Sequence, residues 1–343
     1  MSAVQATATF TLTAQNLSRG ISDDFWDLLD PAHMDAWHDA RDLLSKRAFH
    51  HTDCDIEISI DLSPGIRRLK KTHHSVRRIL EQREPYAAGM FPRSDVKIPI
   101  ISRLTRDNSN FANQNLAQIY IEEMIYDIFL IMNIAAPGSF DLYDASLSRP
   151  GRDKFMKHDF RLSNWCFESA MLASLEGKSS NVGLMRVSEV ADWFFRIRKS
   201  ASQIPGNPAE KCLFALLHLA KGDTDQLSII WIFYALEALF STKPAENLRF
   251  LNSRINLLLG LTDKESKSLK RHLRDLYDTR SSFVHGGMEI LGISRNEILD
   301  KTVDDKIIRY MNLCDQGVSI ILACLQALIR TGRDYPQFIE RLV

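Results

Sequence analysis

Two periodicities divide the chain. Over residues 53–62, DCDIEISIDL, apolar and polar side chains alternate: Cys54, Ile56, Ile58, Ile60 and Leu62 on one side, Asp55, Glu57, Ser59 and Asp61 on the other. A period of two predicts a half-buried strand. A weaker strand is expected at Thr9–Thr13 around Phe10 and Leu12. Another is expected over Val96–Ile101, where Pro99, which has no N–H to donate, argues for a sheet edge. Helical spacing appears near 22–47, 66–83 and 109–135, and further short elements are expected between 160 and 200. The most apolar stretch, Ile119–Ala136, contains Glu122, Glu123 and Asp127. Three carboxylates are costly in a bilayer, so this stretch is expected to be a buried helix and not a membrane span.

The segment SQIPGNP, residues 202–208, is the candidate linker, because Pro205, Gly206 and Pro208 interrupt any continuous helix. Beyond it the pattern becomes persistently helical, with five helices expected near 208–221, 225–241, 245–260, 263–285 and 303–331. Asn207-Pro208-Ala209-Glu210 places an N-cap, a proline at the first helical position and a glutamate at the third. Thr262-Asp263-Lys264-Glu265 repeats the capping-box logic, and Gly286-Gly287 supplies a stop. The expected organisation is therefore an α+β region over residues 1–204, of unassigned role in recognition or regulation, followed by an all-α bundle over 205–343.

Composition narrows the chemistry. The chain has 343 residues, 45% hydrophobic and 25% charged, with 43 basic and 43 acidic side chains. No global field attracts a polyanion, so any nucleic-acid contact must come from a local basic patch. The five cysteines, Cys54, Cys166, Cys212, Cys314 and Cys324, are scattered and odd in number, and no CxxC pair occurs. Neither a disulfide framework nor a zinc cluster is expected, and reduced thiols suit a cytoplasmic protein. The N-terminus lacks the basic and apolar regions of a secretory signal. G-x-x-x-x-G-K-[ST], G-x-G-x-x-G and G-x-S-x-G are absent, which removes support for a nucleoside triphosphatase, a dinucleotide enzyme or an α/β-hydrolase. No cofactor and no metal is expected. His73-His74 are adjacent and so face different directions on a helix, and His50-His51 lack a convincing ligand set.

The chemistry concentrates in Leu269–Gly287, LKRHLRDLYDTRSSFVHGG. Leu269, Leu273, Leu276, Tyr277 and Val284 recur at helical spacing and are expected to face the core. Arg280 falls on that stripe, and a guanidinium placed inward demands acceptors. A second, polar stripe runs through Arg274, Asp278, Ser281 or Ser282, and His285. Arg280 and His285 are five residues apart, about 140° around a straight helix. Unwinding at Gly286-Gly287 is one way to bring them together, and a neighbouring subunit is another. The preceding segment 229–240, IIWIFYALEALF, is apolar almost all round, with Glu237 its only charge. A carboxylate buried there must be paired or protonated, with Arg280 and Arg254 as the obvious partners.

Taken together, FYALEALFS, Arg254 and LYDTRSSFVHGG resemble the Apea-like branch of the HEPN superfamily (higher eukaryotes and prokaryotes nucleotide-binding), over the region 205–343. The resemblance rests on the ALE-type helix, the spaced arginine and the closing R-x4-H-G, here Arg280 to Gly286. It implies a dimerising helical bundle whose R-x4-6-H motifs meet at the interface and cleave RNA without metal. His285 would act as general base or acid and Arg280 would stabilise the charged phosphorane. Glu237 would orient Arg280, with Asp278, Ser281 and Arg254 in supporting roles. Many active members carry Asn, Asp or His directly after the arginine, where this chain has Ser281. The family setting implies a cytoplasmic effector in bacterial defence or a toxin–antitoxin system, acting on RNA, with an antitoxin-like or defence partner and no membrane. The alternative is a non-catalytic HEPN module that binds RNA, nucleotide or a protein.

A separate basic cluster lies in IRRLKKTHHSVRR: Arg67, Arg68, Lys70, Lys71, Arg77 and Arg78. It reads either as an RNA phosphate contact or as a solvated helix face, with Leu69, Val76, Ile79 and Leu80 packed inward.

Overall fold

The structure is a computed structural model that describes residues 4–14, 26–52, 54–82, 95–106, 114–149, 158–178, 180–199, 201–222, 227–241, 248–292 and 298–338. The protein is mixed α+β. It divides into two compact units: Met1–Asn164 with Leu184–Asp192 and Arg198–Ser202, and Trp165–Gly183 with Trp193–Ile197 and Gln203–Val343.

The first unit is built on a six-stranded antiparallel sheet of β1 (Val4–Ala14), β2 (Lys46–His51), β3 (Cys54–Ile60), β4 (Val96–Arg106), β5 (Leu142–Ser148) and β6 (His158–Leu162), in the order β2-β3-β4-β1-β5-β6. The alternation expected in β3 is realised, with Cys54, Ile56, Ile58 and Ile60 all buried. On the same principle β1 buries Ala8, Phe10, Leu12 and Ala14, and β4 buries Val96, Ile98, Ile100 and Leu104. Helices α1 (Trp26–Leu43), α2 (Ser63–Gln82) and α3 (Gln114–Ala135) complete this core, with α2 and α3 on the sheet and α1 against both.

Three sequence expectations need correction here. β1 is eleven residues long, because its alanines and threonines pair with β4 over the whole strand although they signal weakly as apolar residues. The helix expected over 22–47 ends at Leu43, and Lys46–His51 becomes the edge strand β2 on β3, with only Phe49 buried. β4 is central, not an edge. Pro99 fits because its carbonyl, and therefore its missing N–H, points to the β3 side, where it accepts from Asp61 just as that strand ends.

α3 confirms the reading of Ile119–Ala136 as a buried helix. Its inward carboxylates are compensated: Asp127 pairs with Arg47 and, at 2.8 Å, with Arg198, and Glu123 pairs with Arg198. Paired in this way, the charges avoid the penalty of isolated burial.

The second unit is helical: α4 (Trp165–Leu175), the last turn of α5 (Val187–Ile197), α6 (Pro208–Lys221), α7 (Ser228–Leu239), α8 (Leu248–Leu259), α9 (Asp263–Val284) and α10 (Val303–Arg330). The start signals act as expected. The Asn207 side chain accepts from the Glu210 N–H at 2.9 Å, and Glu210 accepts from the Gly206 N–H at 2.6 Å. Thr262 and Glu265 form a reciprocal capping box. α10 packs on α4, α7, α8 and α9. It is long and apolar enough to span a membrane, but 67% of its most apolar stretch is buried within the protein, as in a core helix. Close approach requires Gly317 on α10, because a Cβ there would lie 2.6 Å from Ile232 and 3.3 Å from Leu276.

Candidate functional site

α9 buries Leu269, His272, Leu273 and Leu276, which fixes the direction of every other side chain on it. Burial pushes the His272 imidazole below its ordinary pKa, with Arg271 acting in the same direction. Tyr277 (43% exposed) and Val284 (59%) were expected in the core but lie outside it.

Arg280 sits at the margin of the buried face. Its Nη1 lies 3.3 Å from Oε1 of Glu237, and its Cζ is 5.2 Å from the centroid of the Phe233 ring. Phe233 in turn meets Tyr277 edge-on at 6.1 Å. Glu237 is the partner expected from the sequence, but it is not buried: the side chains of Arg280 and Glu237 are 34% and 41% exposed. The apolar helix α7 turns one face outward, carrying Tyr234 (43% exposed) and Glu237.

His285 closes α9 and its side chain is exposed. Its backbone stays close to helical, at φ −95° and ψ 9°, and its N–H donates to Ser281. The chain reverses one residue later, at Gly286, whose φ of 73° favours glycine. The glycine pair therefore ends the helix without turning His285 toward Arg280. Arg280 and His285 leave α9 about 140° apart.

On the outward side, Asp278 and Ser282 line a groove of about 840 Å³ between α9, the segment around Met288–Leu291 and the first half of α10, including Lys306, Arg309 and Tyr310. Neither Arg280 nor His285 lines it. Ser281, next to Arg280, is half-buried and accepts the His285 N–H through its carbonyl. Arg254 serves the end of α7, donating to the Phe240 carbonyl at 3.1 Å, with its guanidinium 5.1 Å from the Phe338 ring. A cation at a helix C-terminus is favourably placed, so Arg254 has a structural task of its own.

In the first unit, the basic cluster lies on α2. Arg67, Lys70, Lys71 and Arg77 are exposed and Arg68 is half-buried, while Leu69 is buried. Arg77 approaches Asp27 and Asp30 at 3.8 and 3.6 Å. The side chains of Val76, Arg78, Ile79 and Leu80 lie outside the described residues. His73 turns inward against Asp30, and His74 points out. No group of three or more metal-ligating side chains occurs among the described residues.

Two features were not singled out from the sequence. Phe233 under Arg280 could have been found from its place one turn before Glu237. The exposed cations Lys267, Lys270 and Arg271 continue the Arg274 stripe at the same three- and four-residue spacing. No protein-family model matches the chain, and neither a curated protein nor a solved structure does.

Proposed function

We propose that the chain is a metal-independent endoribonuclease of the HEPN type, with α6–α10 as the HEPN bundle. In this reading it works as a cytoplasmic homodimer in bacterial defence or a toxin–antitoxin system, where an antitoxin-like or defence protein restrains it. The observation that carries the reading is one helix that ends in an exposed imidazole, His285, and carries a half-exposed guanidinium, Arg280, held by Glu237.

Because the two groups diverge, one substrate meets both when two copies of α9 face each other, His285 of one opposite Arg280 of the other. Tyr234, Tyr277 and Val284 beside Arg280 form the uncovered apolar face that such a pairing buries. His285 of one copy takes the 2′-hydroxyl proton as that oxygen attacks the phosphorus. The departing 5′-oxygen takes its proton from water, which leaves a 2′,3′-cyclic phosphate and a free 5′-hydroxyl. Arg280 complements the charge that builds on the phosphorane oxygens.

The test is cleavage of a labelled RNA by the full chain, its His285→Ala and Arg280→Ala variants, and a mixture of the two. Each variant alone is expected to be inactive. The mixture should regain part of the activity, since a mixed dimer holds one intact site. Persistent cleavage in either variant overturns the assignment. A second reading, a non-catalytic HEPN module binding RNA, nucleotide or protein, is favoured by the engagement of Arg280 with Glu237 and Phe233. It expects His285→Ala to leave function intact.

A further inference from the structure

The outward face of α9 carries Lys267, Lys270, Arg271 and Arg274. Spaced three and four apart, they lie opposite Leu269, Leu273 and Leu276 and form one lane about two turns long. All four are exposed, and none is paired with a carboxylate among the described residues. In a chain whose formal charges cancel, four unpaired cations on one helix face are a local excess. Continued along the axis, the same lane passes Asp278, which ends the run of cations, and then Ser281, and reaches exposed His285. From Lys267 to His285 the lane is about 27 Å long.

We propose that this lane holds the phosphate backbone of single-stranded RNA and delivers the strand to His285. The inference rests on the nucleolytic reading above for the identity of the polyanion, and it moves the main RNA contact from α2 to α9. A lane one helix wide, with its cations in single file, tracks one backbone rather than the two of a closed duplex. A lipid surface fits less well. A helix that binds membranes has an apolar face free to insert, whereas the apolar residues alongside the cations, Leu269, Leu273 and Leu276, are already in the core.

The experiment measures binding of a short fluorescein-labelled oligouridine to the full chain in a His285→Ala background, so that the probe survives. Four single-strand phosphate contacts correspond to a slope of log affinity on log salt near about −2.8, or about 50-fold weaker binding between roughly 50 and 200 mM salt. Replacing Lys267, Lys270, Arg271 and Arg274 together by Gln keeps good helix formers at exposed positions. It should flatten that slope to near zero, with an unchanged melting curve as the check on folding. An unchanged slope in the fourfold variant overturns the lane. So does loss of binding on replacing Arg67, Lys70 and Lys71 of α2 instead, or a fourfold variant that loses only its adhesion to phosphatidylserine vesicles. If the unaltered chain binds the oligouridine through the lane yet cleaves no RNA, the lane stands and the nuclease reading alone fails.

Discussion

Replacing Arg280 by Ala separates chemistry from architecture. From the sequence alone, an inward guanidinium opposite a lone carboxylate on an apolar helix resembles a buried ion pair, whose disruption costs about 3–5 kcal/mol. The structure gives a different magnitude. The two side chains are 34% and 41% exposed and their closest atoms are 3.3 Å apart. A pair so accessible is screened, with a coupling of about 0.2–1 kcal/mol. The face of Phe233 beneath the guanidinium adds about 0.5–1 kcal/mol. Arg280→Ala should therefore cost about 1–2 kcal/mol and leave the second unit folded. Equilibrium urea unfolding of the wild type, Arg280→Ala, Glu237→Ala and the double variant gives the coupling directly, provided the transitions of the two units are resolved. A coupling of about 3 kcal/mol or more would refute this reasoning and return the pair to the buried class. With the small value, loss of RNA cleavage in Arg280→Ala cannot be ascribed to unfolding.

Three further outcomes follow from the packing and the titrating groups. Gly317→Ala on α10 presses a Cβ against Ile232 and Leu276. The overpacking cost of about 1–3 kcal/mol should exceed the gain of about 1 kcal/mol in helix propensity, and pairing it with Ile232→Ala should recover stability relative to the summed single effects in urea melts. Thr262→Ala removes the side-chain acceptor of the capping box and should lower stability by about 1 kcal/mol, whereas Thr262→Ser should change it little in the same melts. Burial lowers the His33 pKa from 6.5 to about 4, although the hydrogen bond with the Pro137 carbonyl acts the other way. The folded form thus resists a proton that the unfolded chain accepts: the stabilisation is complete above about pH 6.5 and is lost as pH falls toward 4, amounting to about 3 kcal/mol. His33→Gln should flatten that part of a stability–pH curve, and an unchanged slope would show that another group titrates.

Much of the second unit was legible in the sequence because its signals are local. Asn207, Pro208 and Glu210 cap α6 with their own backbone neighbours, Thr262 and Glu265 do the same for α9, and Gly286 ends it, so the helix limits follow from a few adjacent residues. The strict alternation of β3 was equally plain, since period-two burial is written directly in residue order. What lies across the chain was decided by the tertiary structure. Lys46–His51 carries one buried apolar residue and becomes a strand only because β3 offers it an edge, and Pro99 is tolerated in a central strand only because β3 ends where its N–H is missing. The same holds at the candidate site. Residue order paired Glu237 with Arg280, but their exposure depends on how far α7 and α9 are covered, and Tyr277, although it meets Phe233, and Val284 stay exposed. A helix period states which side chains share a face, and only the neighbouring elements determine whether that face meets protein or water.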